Sequence, residues 1–175
     1  MVIWVTGLSG SGKTTVCNAL WELLKPRLPH LVLLDGDSVR QALGDGLGYR
    51  EEDRVVQISR IQSLAKMLSD QGLVVLVAAL YRSPKLMAWN RQNITHYFEI
   101  YLEASLESLK ERDYKGLYKG ATEGSIPNVV GMDIPWHVPE APDLVISTER
   151  LESPEALAQQ VVAAIPDLEM ARVSS

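Results

Sequence analysis

Residues 2–15 read VIWVTGLSGSGKTT, and this stretch predicts the first strand, loop and helix of the fold. Residues 2–6 are short, β-branched and apolar, which is typical of a parallel strand buried on both faces. Residues 7–14 fit the pattern G-x-x-x-x-G-K-[ST], and a helical pattern begins at Lys13. A strand, a glycine-rich loop and a helix in this order predict a loop whose backbone N–H groups wrap around phosphate.

We name residues 7–14 the phosphate loop. Lys13 is expected to bridge the β- and γ-phosphates of ATP, and the hydroxyl of Thr14 is expected to coordinate Mg²⁺. The donor-binding residues predicted here are Gly7, Ser9, Gly10, Ser11, Gly12, Lys13, Thr14 and Thr15. The alternative is a glycine-rich turn with an incidental lysine, which the surrounding strand and helix disfavour.

Strands and helices alternate along the rest of the chain. Apolar runs predict further strands at residues 31–34, 73–78, 97–102 and 144–146. Helical spacing predicts helices at residues 13–25, 51–71, 105–112 and 154–165. This order predicts an α/β fold of the P-loop NTPase type, a three-layer sandwich in which a parallel five-stranded sheet carries helices on both faces. We expect a single domain over residues 1–175.

Residues 114–142 differ from the rest, because they hold four of the nine prolines and four of the twelve glycines. A long irregular segment in a compact domain is usually functional. We therefore expect a mobile lid over the site.

The composition limits the possible partners. The formal net charge is −5, which argues against general binding to nucleic acid or to an anionic membrane. Cys17 is the only cysteine, so no internal disulfide can form, which fits a reducing compartment. No apolar run is long enough to span a bilayer, and no signal peptide is evident. The expected location is the cytoplasm.

Residues 35–40 read DGDSVR and follow the second predicted strand, expected beside the phosphate loop. Of two carboxylates one residue apart, one can order Mg²⁺ and the other can accept a hydroxyl proton. Arg40 can hold an anionic acceptor through its two-pronged guanidinium. The alternative is a polar turn whose aspartates cap the following helix.

A small-molecule kinase is favoured over other nucleotide-binding proteins. The chain lacks the Asn-Lys-x-Asp sequence that reads guanine, and its third strand lacks the terminal acidic residue of a motor ATPase. A basic lid suits an enzyme that must exclude water before it transfers a phosphoryl group.

Several motifs together resemble the adenylylsulfate kinases (APS kinases). They are GLSGSGKTT at 7–15, DGDSVR at 35–40, LGYREEDR at 47–54, KGLYKG at 115–120 and GMDIPWHVPEAPDL at 131–144. The resemblance covers nearly the whole chain. It implies phosphorylation of the ribose 3′-hydroxyl of adenosine 5′-phosphosulfate by MgATP, and a homodimer.

The resemblance also implies roles for individual residues. Asp37 resembles the base closest to the acceptor hydroxyl, with Lys13 and Asp35 as catalytic partners and Asp35 also near the metal. The residues implied to hold the acceptor are Asp37, Arg40, Tyr49, Arg54, Gln57, Leu80, Lys119 and Val129. Lys115 is implied to approach the donor nucleotide. Arg112, directly before the lid, is either a transition-state arginine on the donor side or a charge at the C-terminus of a helix.

The chain departs from the family on the acceptor side and in the lid. Residues 80–84 read LYRSP in place of an Ile-Ser-Pro-like turn, Gln57 replaces an asparagine, and Val129 replaces a phenylalanine expected to cover the acceptor base. At two lid positions where the family carries basic residues, this chain has Gly120 and Thr122. An acceptor with a smaller nucleobase is therefore an alternative, as in relatives that phosphorylate cytidine diphosphoramidate. A sugar or sugar-acid kinase and a non-catalytic nucleotide sensor are further alternatives.

Overall fold

The computed structural model of the chain describes residues 1–44, 46–81, 83–113, 115–149 and 152–168. Its strands are β1 (Val2–Thr6), β2 (Leu31–Asp35), β3 (Val74–Ala78), β4 (Tyr97–Glu103) and β5 (Leu144–Ser147). Its helices are α1 (Lys13–Leu24), α2 (Gly36–Ala42), α3 (Glu51–Asp70), α4 (Pro84–Asn93), α5 (Leu106–Arg112), α6 (Leu117–Thr122) and α7 (Pro154–Ala164).

The strands form one parallel sheet in the order β2-β3-β1-β4-β5. All carboxyl ends therefore lie at one edge, where open α/β sheets bind ligands. The expectation that β2 is the direct neighbour of β1 is wrong, because β3 lies between them. The register keeps their ends level, since Asp35 and Val5 both pair with Ala78.

Two apolar layers hold the helices against the sheet. Ile3 and Val5 of β1 pack into one layer with α1 and α7, whereas Val2 and Trp4 pack into the other with α3 and α4. Side chains alternate between the two faces of a strand, so β1 can serve both layers. Val2, Ile3, Trp4 and Val5 have no exposed surface. The predicted three-layer fold is confirmed.

Every predicted strand and helix is present within one or two residues of its predicted ends. The prediction missed three helices, α2, α4 and α6. Helix α4 carries a readable start signal, because Ser83 caps the N–H of Leu86 and Pro84 occupies the first turn. The boundaries of the domain stay a prediction.

The predicted lid is more ordered than its composition indicated. It contains α6, and its buried residues Tyr118, Val129, Val130 and Ile134 belong to the same apolar layer as Trp4. Tyr114, the first residue of the predicted lid, lies outside the described residues. The mobility of this segment stays a prediction.

Gly7 makes the transition from β1 into the phosphate loop. Its φ is +153°, and a Cβ there would lie 2.6 Å from the carbonyl oxygen of Leu102 on β4 and 2.6 Å from Oγ of Ser11. Because the Leu102 carbonyl is part of the sheet, it cannot move aside cheaply. Only glycine fits between the central strand and the loop.

Replacing Gly7 with alanine is expected to lower the free energy of unfolding by about 2 kcal/mol or more, through backbone strain and the clash with β4. The measurement is chemical denaturation followed by circular dichroism. Gly46→Ala is the matched control, since no atom lies within 4 Å of a Cβ built there and its φ is not in the left-handed region. Equal stability of the two variants would contradict this account of Gly7.

Candidate functional site

A cavity of about 780 Å³ opens at the carboxyl edge of the sheet. The predicted site residues that line it are Ser9, Gly10, Ser11, Gly12, Lys13, Thr14, Thr15, Asp35, Asp37, Arg40, Tyr49, Arg54, Gln57, Leu80, Arg112, Lys115 and Val129. Gly7 and Lys119 are outside this lining. The fold therefore brings residues from distant parts of the chain around one space.

The phosphate loop is built from left-handed glycines and an inward lysine. Gly12 has φ 93° and precedes the first residue of α1, so the loop turns directly into the helix. The ammonium of Lys13 donates to the carbonyl of Leu8 at 2.8 Å. Burial lowers the pKa of Lys13 to about 8, although the nearby carboxylates of Asp37 and Asp35 act in the opposite direction. A bound polyphosphate would restore the charged form.

Asp35 serves the helix and the site at once. Its Oδ1 accepts from the N–H groups of Asp37 and Ser38, both at 3.1 Å, and thereby caps α2. Its Oδ2 accepts from the hydroxyl of Thr14 at 3.0 Å. Capping of α2 therefore occupies one carboxylate oxygen of Asp35 and leaves the other facing Thr14, so the cap does not exclude the predicted role at the metal.

The Thr14 and Asp35 oxygens fit the preferences of Mg²⁺. This ion takes oxygen ligands and is usually held by one or two protein groups together with substrate phosphates and water. Among the described residues, no group of three or more His, Cys, Asp and Glu side chains could hold a metal ion. The fit is thus to an ion that is shared with a nucleotide.

Asp37 lies in the first turn of α2 and lines the cavity. It is exposed, and its backbone N–H donates to Oδ1 of Asp35 at 3.1 Å. A free carboxylate at this point can accept a proton from a ligand hydroxyl.

Arg40 and Arg54 flank Tyr49 on the acceptor side. Their guanidinium carbons lie 4.8 and 5.6 Å from the centre of the Tyr49 ring. Arg40 donates to the carbonyls of Leu47 and Gly48. Burial first, and then the charge of Arg40, lowers the pKa of Arg54. Two guanidiniums that repel each other form a site that an anion would stabilise.

The lid contacts this cationic pair through a tight turn. Arg54 donates to the carbonyl of Asn128 at 2.8 Å. Asp133 accepts from the N–H groups of Asn128 and Val129, and these bonds lower its pKa. Val129 is therefore fixed, 3% exposed, against the acceptor end of the cavity.

Gln57 adds a polar group to the acceptor wall. It is 3% exposed, and its Nε2 donates to the carbonyl of Gly36 at 3.1 Å. Its Oε1 is buried without a hydrogen-bond partner. Leu80, two residues after the end of β3, contributes apolar surface to the same cavity.

The sequence interpretation missed several residues that line the end of the cavity opposite the acceptor side. Thr148, Glu152, Pro154 and Leu157 line it, where β5 ends and α7 begins. Arg112 is held there, because it donates to the carbonyls of Thr148 and Glu149 at 2.7 and 2.5 Å. The signal was available, since the carboxyl end of a fifth parallel strand must reach the same edge as the others.

Three comparisons bear on the family. The model of the adenylylsulphate kinase family matches residues 1–147. The chain belongs to the adenylylsulphate kinase family. Proteins of this family are ATP-dependent kinases. The solved APS kinase CysC of Mycobacterium tuberculosis, in complex with AMPPNP and APS, has a TM-score of 0.84 at 34% identity, covering 93% of this chain and 95% of that one.

Curated family members differ in substrate. The chain is 43% identical to a cytidine diphosphoramidate kinase of Campylobacter jejuni over 83% of its own length and 85% of that protein. It is 40% identical to an adenylyl-sulfate kinase of Deinococcus deserti over 90% of its own length and 87% of that protein. It is also 43% identical to the bifunctional enzyme NodQ of a Rhizobium species over 93% of its own length. It spans only 26% of NodQ.

No helix in the described part of the chain is long and apolar enough to cross a membrane.

Nucleotide binding is expected to take up a proton at alkaline pH. Above pH 8 the free protein loses the charge of Lys13, whereas the phosphates of a bound nucleotide favour the ammonium, so affinity should fall as the pH rises through 8. Titration calorimetry with ADP at pH 8.5, in buffers of different ionisation enthalpy, measures the proton. The Lys13→Arg variant keeps its positive charge at pH 8.5, so its binding of ADP should take up no proton. Identical binding enthalpies in all buffers for the native protein would contradict this.

The two lid lysines are expected to differ. Lys115 lines the cavity, whereas the side chain of Lys119 is 76% exposed and lies 3.9 Å from Glu123. Lys115→Ala should weaken ADP binding roughly tenfold, the value of one charge-assisted contact, and Lys119→Ala less than roughly twofold. Calorimetry measures both. A loss of ADP binding in the Lys119 variant as large as that in the Lys115 variant would contradict this expectation.

Proposed function

We propose that this chain transfers the γ-phosphoryl group of ATP to the ribose 3′-hydroxyl of a nucleotide that carries an anhydride at its 5′ end, with adenosine 5′-phosphosulfate as the first candidate. The observation that carries the proposal is one cavity lined by the phosphate loop, by Asp37 and by the Arg40–Arg54 pair. A phosphate donor, a proton acceptor and an anion site within one space are what such a transfer needs.

The donor occupies the side of the phosphate loop in this proposal. Its base lies towards Arg112 and Thr148, and its phosphates lie along residues 9–14, with the ammonium of Lys13 moving from the Leu8 carbonyl to a phosphate oxygen. Thr14 and Asp35 would hold Mg²⁺, which would neutralise charge on the phosphates. Lys115 reaches the same phosphates from the lid.

The acceptor occupies the other side. Arg40 and Arg54 hold its anionic 5′ group, and its ribose lies next to Asp37. The 3′-oxygen attacks the γ-phosphorus in line with the leaving oxygen of ADP, forming one O–P bond as the other breaks. The hydroxyl proton passes to the carboxylate of Asp37. The lid closes over both ligands and keeps water from the reacting phosphoryl group.

A second acceptor, cytidine diphosphoramidate, is favoured by two observations. Val129 covers the acceptor end of the cavity where the family resemblance calls for a phenylalanine, so the base would lose one stacking partner. Stacking on an aromatic ring contributes about 1–3 kcal/mol per base, a loss that a smaller base with other contacts tolerates better. The kinase of Campylobacter jejuni that acts on this compound is 43% identical to the chain.

The direct test is a coupled assay for ADP with MgATP and separate acceptors: adenosine 5′-phosphosulfate, cytidine diphosphoramidate, CDP, AMP and a sugar acid. Turnover with adenosine 5′-phosphosulfate or cytidine diphosphoramidate, and phosphate at the 3′-position of that acceptor by NMR, is the expected result. Turnover with the sugar acid alone, or ATP binding without transfer to any acceptor, would contradict the proposal.

Asp37→Asn is expected to lower kcat on the order of a hundredfold or more, because it removes the proton acceptor, while KM for ATP changes little. Steady-state kinetics with the best acceptor measures both. Asp70→Asn is the matched control, since Asp70 lies at the far end of α3 and pairs with Lys66. Equal activity of the two variants would remove Asp37 from the mechanism.

The family resemblance also implies a role in sulfate assimilation. That role, the homodimer and the cytoplasmic location stay predictions.

A further inference from the structure

One hydrogen bond joins the lid directly to the phosphate loop. The hydroxyl of Tyr118, on α6, donates to the carbonyl oxygen of Ser9 at 2.8 Å. Tyr118 is 2% exposed and packs in the apolar layer that also contains Leu8. The two residues are 109 positions apart in the sequence. This contact was not predicted from the KGLYKG motif that contains Tyr118.

The contact determines which way one peptide group of the phosphate loop faces. The described peptide bonds are trans, so the carbonyl of Ser9 and the N–H of Gly10 point in opposite directions. Because Tyr118 holds the carbonyl towards α6, the N–H of Gly10 must point away from α6. Gly10 itself lines the cavity.

This peptide needs an external partner to keep its orientation. Gly10 has φ +81°, and without a Cβ it can turn the preceding peptide over at little steric cost. A phosphate loop works by presenting N–H groups that are already oriented. A hydrogen bond to the opposite side of the same peptide supplies that orientation.

Tyr118 is in turn held firmly. Gly116 starts α6 in the left-handed conformation, with φ 64°. Asp113, at the end of α5, accepts the N–H of Gly116 through its carbonyl at 2.9 Å and the N–H of Lys119 through its carboxylate at 2.8 Å. The position of the Tyr118 hydroxyl is thus defined by the α5–α6 junction.

A second contact joins the same two segments. Gly131, with φ +90°, packs so closely on Leu8 that a Cβ there would lie 3.0 Å from Leu8 Cδ2. The phosphate loop therefore contacts the lid at two consecutive residues: Leu8 packs against Gly131, and the carbonyl of Ser9 accepts the bond from Tyr118. A shift of the lid must therefore also shift the phosphate loop.

We propose that Tyr118 is a positioning residue for the phosphate donor: its hydroxyl orients the Ser9–Gly10 peptide so that the Gly10 N–H faces the donor phosphates, and it couples the lid to their binding. This inference rests on the proposed function only in requiring a nucleoside polyphosphate in the phosphate loop. It is independent of the acceptor.

The test compares Tyr118→Phe with Tyr97→Phe, which removes a hydroxyl bonded to Asn90 outside the lining of the cavity. Titration calorimetry gives Kd for ADP, and thermal denaturation gives Tm. Tyr118→Phe should raise Kd roughly 2- to 10-fold, the range of one neutral hydrogen bond, and KM for ATP by the same factor. Tyr97→Phe should leave Kd unchanged, even where it lowers Tm.

An unchanged Kd in Tyr118→Phe, or an equal rise in both variants, would overturn the proposal, because a purely structural tyrosine changes Tm alone. Hydrogen exchange of the native protein provides a second test that needs no variant. ADP should slow amide exchange across residues 117–122, and the absence of any slowing would also overturn it. ADP binding without transfer to any acceptor contradicts the proposed function and leaves the Tyr118 measurement intact, whereas absence of ADP binding contradicts both.

Discussion

The site depends on the register of the sheet around β1. This strand is buried on both faces and is followed directly by Gly7, where only glycine fits against the Leu102 carbonyl. Asp35 of β2 and Val5 of β1 pair with the same residue, Ala78 of β3. The end of β2 therefore lies level with the phosphate loop, and Asp35 reaches the Thr14 hydroxyl at 3.0 Å. A shift of β2 by one residue would reverse the faces of its side chains and break this contact.

Cationic side chains then line two sides of the cavity. The chain as a whole is acidic, with a formal net charge of −5, yet Lys13, Arg112 and Lys115 line one side and Arg40 and Arg54 line the other. Burial costs these cations hydration, as the lowered pKa values of Lys13 and Arg54 indicate. That cost is recovered when phosphates enter. The carboxylates of Asp35 and Asp37 lie between the two sides, where a metal ion and an attacking hydroxyl would meet.

Local patterns predicted the elements well, because strand and helix periodicity and the G-x-x-x-x-G-K-T spacing depend on neighbours in the chain. They failed where the answer depends on distant contacts. The insertion of β3 between β1 and β2 depends on how the helices pack on the sheet. The hydrogen bond from Tyr118 to Ser9 forms only when the lid packs against the phosphate loop. Lys119 follows Tyr118 directly, yet its side chain lies 3.9 Å from Glu123 and outside the cavity lining, so the acceptor-binding role that the motif implies for it stays a prediction. Two features were missed although the sequence carries a signal for each. Ser83-Pro84 indicates the start of α4, and the carboxyl end of β5 indicates the end of the cavity that Thr148 and Leu157 line.

The central claim is that donor and acceptor meet in this one cavity, with Asp37 at the point of transfer. A crystal structure with ADP, Mg²⁺ and the anhydride nucleotide that supports turnover tests it most directly. The account predicts ADP phosphates along residues 9–14, the anionic 5′ group between Arg40 and Arg54, and the ribose 3′-oxygen within hydrogen-bond distance of Asp37. An acceptor bound outside the cavity, or a 3′-oxygen facing away from Asp37, would contradict it.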